Sequence, residues 1–180
     1  MQKTSTTALM AALVQFKQRW FIALVRKKGG QKFIQKDGGI FTTFPGWALP
    51  GGRMNSVDAD SLDASVREFE EESGIQVLKE NILPNPCVIT CNSDREGYVY
   101  HRTVIYGAII SLDVQIGEIM DPNIEACQFF PIDDLPVGKK VDGCELMKSH
   151  IKHIHRILTE NTTVNGDILY MQEAVERQLP

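Results

Sequence analysis

The chain has 180 residues, 43% of them hydrophobic and 23% charged, and a net charge of −4. A chain of that size and balance buries a real core as one globular domain. Its acidity and lack of a long basic run argue against broad binding of nucleic acid or anionic membrane, and no stretch reaches transmembrane length. Lys3 followed by Ala8–Val14 has a leader-like composition, but Gln15 and Lys17 stop the run and another apolar segment follows. The expectation is therefore a cytoplasmic chain without a leader. Ala8–Phe16 and Trp20–Val25 read as two strands joined by a turn at Lys17-Gln18-Arg19. The glycine-rich stretch Lys27–Gly46 reads as a long loop or an irregular strand, of the kind that often binds ligands. Trp47–Leu49 then leads into Leu49-Pro50-Gly51-Gly52, a tight loop in which backbone atoms can approach a ligand closely.

The acidic segment ahead of Gly74 reads as a helix. Asp60 or Ser61 can cap its start, Asp63 places negative charge in its first turn, and Gly74 suits the left-handed residue that ends it. At about 100° per residue, Leu62, Val66 and Phe69 form an apolar stripe, and Glu68, Glu71 and Glu72 share the opposite side. Like charges three and four residues apart repel. Such a face invites a counter-charge, and a hard divalent cation with oxygen ligands supplies one. Beyond it, Cys87–Cys91 and Tyr98–Ser111 are strands with a turn at Asp94-Arg95-Glu96-Gly97. Ala126–Pro131 is a further strand, Asp133–Pro136 a turn, Asp142–Leu158 a helix with apolar Leu146, Ile151, Ile154, Ile157 and Leu158, and Ile168–Gln178 a short terminal helix. No repeat or linker divides the chain. One domain over residues 1–180 is expected, with residues 161–180 as a helical extension.

The four cysteines, Cys87, Cys91, Cys127 and Cys144, lack paired Cys-x-x-Cys spacing and read as reduced, mostly buried thiols. His101, His150, His153 and His155 do not complete a soft metal site with them.

Gly52, Arg67, Glu68, Glu71, Glu72, Gly74 and Ile75, with Phe69 in an apolar slot, resemble the Nudix box, the signature of hydrolases of nucleoside diphosphates linked to another group. The run from Arg67 to Ile75 keeps the signature's spacing. One extra residue lies between Gly52 and Arg67, and the early glutamate is missing: counted from Gly52 its place falls on Asp58, counted back from Arg67 on Ala59. The resemblance implies an α/β/α sandwich, a mixed sheet flanked by the acidic helix and a C-terminal helix. It implies Mg²⁺ or Mn²⁺ as cofactor, with Glu68, Glu71, Glu72 and the Gly51 carbonyl as ligands and Arg67 orienting a glutamate. Glu125 resembles the acid that family members carry in a loop before a late strand; a solvated loop acid is an equal reading. Arg53 suits a substrate phosphate or a surface ion pair, and Trp47, Phe33, Tyr98 and Tyr100 suit a nucleobase or the core.

Three functions are open at this point. The first is a pyrophosphohydrolase of a nucleoside diphosphate derivative such as ADP-ribose or a nucleotide sugar. The second is a hydrolase of nucleoside triphosphates or dinucleoside polyphosphates, and the third is a non-catalytic nucleotide sensor. The expected partner is a small-molecule nucleotide, with no membrane and no broad nucleic-acid binding; assembly as a homodimer is open.

Overall fold

The computed structural model describes residues 3–114 and 116–180. Its main sheet is built on β1 (Thr4–Phe16). One edge of β1 pairs in parallel with β8 (Tyr100–Ile109), which pairs in turn with antiparallel β7 (Cys87–Asn92). The other edge is divided. β2 (Arg19–Lys27) pairs with β1 only from Arg19 to Ile22, through a turn in which Lys17 and Gln18 both have positive φ, the geometry that matches strand twist. β2 then diverges and pairs with β5 (Gly46–Ala48) at Val25–Lys27, while β6 (Gly51–Arg53) takes the free part of β1 at Thr7–Leu9. β9 (Ile124–Pro131) covers the outer edge of β2. The chain from Gly46 to Arg53 therefore fills a wedge between two diverging central strands, and this is where the double glycine lies.

Alternation along the strands sorts the core into two layers. Leu9, Ala11, Leu13, Ile22 and Leu24 face one side, against α2 (Lys148–Glu160) and α3 (Gly166–Glu176). Met10, Ala12, Val14 and Ala23 face the other, against α1 (Ser61–Ser73). The result is the expected α/β/α sandwich with a mixed sheet.

The ends of α1 follow the sequence. Asp60 is the cap, its Oδ1 accepting from the Leu62 and Asp63 amides at 2.8 and 2.9 Å, and Gly74 closes the helix at φ 70°. Its rotation differs from expectation. Phe69 is fully buried, but its buried companions are Ala64, Ser65, Glu72 and Ser73, while Leu62 and Val66 are half-buried. Small side chains let the helix sit close to β1, where the Ser65 hydroxyl donates to the Leu9 carbonyl at 3.1 Å. Glu72 thus lies beneath the helix rather than on its open face.

Two other segments depart from the sequence reading. Residues 27–46 contain a hairpin, β3 (Lys32–Ile34) and β4 (Ile40–Thr42), tied to the β7–β8 turn by Lys36 N–H to Asp94 O at 2.9 Å and Glu96 N–H to Ile34 O at 3.1 Å. The late helix begins at Lys148, not Asp142. Val141 bridges Cys144, Leu146 N–H donates to Pro136 O, and Met147 N–H donates to Trp47 O, so these amides are already spent in extended pairing. Of the cysteines, Cys87 is buried, Cys127 and Cys144 are half-buried, and Cys91 is exposed; all four are free.

Candidate active site

Two glycines bring the loop against the helix. Gly51 has φ 145°, and a Cβ there would strike the Ala8 carbonyl and come within 2.7 Å of Leu9 Cα. A Cβ on Gly52 would strike the Glu68 carboxylate. Only bare backbone lets β6 pass between β1 and the acidic end of α1.

Against this loop the carboxylates form two linked groups. Glu72 is 3% exposed. Its Oε2 accepts from the Gly51 N–H at 2.8 Å and its Oε1 from the Lys27 ammonium at 3.0 Å. Lys27 Nζ also donates to the Gly51 carbonyl at 2.9 Å. Burial pushes the Glu72 carboxyl above the usual range, against the opposing pull of Lys27 and Gly51. In the second group, Arg67 Nη1 donates to Glu68 Oε1 at 2.8 Å and to Glu71 Oε2 at 3.1 Å. Burial raises the Glu68 carboxyl as well. The other edge of the guanidinium meets Asp58 through two bonds of 2.8 and 3.0 Å, a fork that fixes its plane. Arg67 in turn holds the Asp58 carboxyl below its ordinary range.

Of these residues, sequence reasoning missed Lys27 and left the role of Asp58 open. Asp58 stands where the early glutamate falls when counted from Gly52, a signal that was present but ambiguous. Lys27 carried no signal, because its reach to Glu72 depends on how far β2 diverges from β1. Asp60 serves the cap of α1, whereas Asp58 forks onto the site arginine Arg67. Asp60→Ala should cost about 1 kcal/mol of stability, as a lost cap does, with turnover per folded molecule preserved. Asp58→Ala frees Arg67 and should lower turnover as well as the melting temperature; activity normalised to folded protein separates the two.

Glu68, Glu71, Glu72 and the Gly51 carbonyl are hard oxygen donors suited to Mg²⁺ or Mn²⁺. The ammonium seated between Gly51 and Glu72 marks that point as one that takes positive charge. Among the described residues no three Asp, Glu, His or Cys side chains stand ready around one ion; each glutamate is engaged by Arg67 or Lys27 instead. The donor set fits a divalent cation, provided these internal cations yield.

Other expected site residues are elsewhere. Glu125 pairs with Arg26 Nε at 2.9 Å. Arg26 stacks on Trp47 on the α2 side of the sheet, whereas its neighbour Lys27 points to α1. Glu125 is therefore not at the carboxylate cluster. Trp47 is fully buried, edge-on to Phe130, with its indole N–H donating to Val141 O at 2.9 Å; it belongs to the core and cannot stack a base. Arg53 is exposed, and among the described residues no carboxylate pairs with it. It borders a cavity of about 360 Å³ lined also by Phe33, Phe41, Ser93, Arg95 and His101. Phe33 and Phe41 lie nearly parallel with centroids 6.4 Å apart. The Arg95 guanidinium is 5.4 Å from the Phe33 ring and 5.5 Å from the Tyr98 ring, and its enclosed Nη1 has no hydrogen-bond partner. Tyr98 thus stands behind Arg95, and Tyr100 is an exposed residue at the start of β8, across from Thr4 and Asn92.

A histidine steadies the loop from below. The Leu49 N–H donates to His150 Nδ1 at 2.9 Å, which requires a neutral ring. Burial first, then neighbouring His153 and Lys27, depress its pKa from 6.5 to about 3. Above pH 6.5 the ring is neutral whether folded or unfolded. Below it the unfolded chain gains a proton that the folded chain refuses, so stability falls as pH falls toward 3. Between pH 6.5 and pH 5 the loss from this residue should be on the order of 1–2 kcal/mol. Melting curves over that range should show it, and His150→Gln should flatten the dependence.

Residues 16–149 match the family model of the NUDIX domain. The chain belongs to the Nudix family. The family assignment agrees with the box, and hydrolases of this family work with divalent metal. No curated protein matches the sequence. Among solved structures, the Nudix domain of Shewanella oneidensis NrtR, crystallised with ADP ribose, is similar at a TM-score of 0.63 and 19% identity, over 92% of this chain and 91% of that one. A MutT/nudix family protein from Enterococcus faecalis gives 0.54 and 24%, over 73% of this chain and 45% of that one. NrtR has also been solved with a 27mer DNA, at 0.55 and 15%, over 97% of this chain and 77% of that one. A Nudix chain of this shape is thus not barred from nucleic acid by its fold. This Nudix chain spans less than half of the Enterococcus protein it resembles. No helix among the described residues is long and apolar enough to cross a membrane.

Proposed function

We propose that this Nudix chain hydrolyses the pyrophosphate linkage of a nucleoside diphosphate derivative of the ADP-ribose or nucleotide-sugar type. Mg²⁺ or Mn²⁺ would be held by Glu68, Glu71, Glu72 and the Gly51 carbonyl. The observation that carries the reading is a continuous path: the carboxylates of α1 adjoin Gly52, Arg53 follows Gly52, and Arg53 borders the aromatic cavity. A diphosphate across the loop would leave its nucleoside within reach of Phe33, Phe41 and Arg95. Those rings offer stacking faces, and Arg95 Nη1 offers a donor without a partner. Arg53 supplies positive charge to a phosphate at the mouth. The Shewanella domain that shares this fold was crystallised with ADP ribose, which supports the same substrate class.

When bound, the metal neutralises phosphate oxygens and lowers the pKa of a water. Arg67 holds Glu68 and Glu71 in place and is itself locked by Asp58. Gly52, having no side chain, lets the loop pack directly against the Glu68 carboxylate. Glu125 is committed to Arg26 and so is not at hand as proton acceptor for the attacking water.

A substrate panel with Mg²⁺ and Mn²⁺, its products identified by mass, tests the reading. ADP-ribose should give AMP and ribose phosphate, and nucleotide sugars a nucleoside monophosphate and a sugar phosphate. Preferential release of pyrophosphate from nucleoside triphosphates, or cleavage confined to dinucleoside polyphosphates, would replace it with the alternative hydrolase.

A further inference from the structure

Lys27 is a half-buried cation that the proposed chemistry leaves unused. Its ammonium lies 2.9 Å from the Gly51 carbonyl and 3.0 Å from Glu72 Oε1, two of the four oxygen donors assigned to the metal. The Glu72 side chain is 3% exposed and that of Lys27 27% exposed. A carboxylate this enclosed needs a compensating charge, since an unpaired buried ion costs several kcal/mol. The Gly51 N–H provides a dipole on the other oxygen, but among the described residues only Lys27 brings a full positive charge to Glu72. Its geometry is also specific: one nitrogen caps a backbone carbonyl and a carboxylate that converge on it, as they would on a metal.

We propose that Lys27 is a resident cation of the site, holding the point between Gly51 and Glu72 in the metal-free protein and yielding it when a divalent ion binds. Lys27 is then a positioning residue that keeps the loop and helix assembled before metal arrives. It also raises the metal concentration needed to fill the site, because the ion must displace a charge already satisfied. The four-carbon stem allows that withdrawal, since it carries the ammonium on freely rotating bonds. Once displaced, the charge stays near the loop, where a substrate phosphate would sit. The inference rests on reading Gly51 and Glu72 as cation ligands.

Two measurements without substrate test it. Lys27→Met keeps the length of the stem and removes the charge; Lys27→Gln, which can still donate to Gly51 or Glu72, is the variant to use if methionine impairs folding. Metal-free, the variant should melt below the parent, because Glu72 has lost its partner. Mn²⁺ should then raise its melting temperature by more than it raises the parent's. Binding of Mn²⁺, followed by the loss of the free-ion electron paramagnetic resonance signal, should tighten by about tenfold or more, the scale of removing one competing charge. Equal or weaker Mn²⁺ binding by the variant would overturn the role of Lys27 while leaving the cation site standing. If neither protein bound Mn²⁺, the cation-site reading would fail and this inference with it.

Discussion

Glu71→Gln should cost turnover on the order of a hundredfold or more, with little change in melting temperature. Its carboxylate is about a third exposed and its one ion pair is to Arg67, which keeps Asp58 and Glu68 as partners. The fold loses little, whereas a charge-assisted contact made in the transition state is worth at least that factor. Glu72→Gln should lose as much activity and stability besides, on the order of 2 kcal/mol, because both Glu72 oxygens accept hydrogen bonds in a buried setting. Rate per folded molecule and thermal unfolding, measured on both variants, test the division. Near-normal turnover in either at saturating Mg²⁺ would remove the assigned carboxylates from the mechanism.

Phe69→Ala should be the most destabilising single change in α1, by about 3–5 kcal/mol through lost burial and the cavity left behind. The ring is wholly enclosed among Met10, Ala12, Val14 and Ala23. Glu70→Ala is the matched control: Glu70 is exposed and makes only a 3.4 Å contact with Gln76, so its loss should be close to silent. Val66→Ala should fall between them, since Val66 is half-buried. Denaturant unfolding of the three variants would reverse this order only if the helix were turned from the position described.

The parts of the molecule that depend on local chemistry were legible beforehand. Asp60 and Gly74 bound α1 because a side-chain acceptor and a left-handed residue act within one turn. The β1–β2 hairpin followed from two apolar runs around a short polar turn. What was not legible depends on relations between distant segments. Glu72 could be placed on a helix face but not beneath the loop, because its burial requires Gly51 and Lys27 to meet it from two other strands. Trp47 and Glu125 both carried plausible site chemistry. The wedge between β1 and β2 sends Trp47 into the core, and a register break in the β2–β9 pairing, where Glu125 has no partner across from it, leaves Glu125 beside Arg26. Phe33 could be named from the sequence as a stacking candidate, but Phe41 joins it in a pocket only because their hairpin is pinned to the β7–β8 turn, a contact across some sixty residues that no periodicity announces.

The central claim is that the carboxylates around Gly51 cleave a pyrophosphate linkage, and phosphorus NMR of ADP-ribose incubated with the protein and Mg²⁺ or Mn²⁺ tests it most directly. The paired diphosphate resonances should disappear as phosphomonoester resonances rise in equal amounts, and Glu71→Gln should leave the diphosphate intact. A diphosphate that shifts or broadens on binding yet persists indefinitely with either metal would contradict it, and would make the chain a nucleotide-binding module instead.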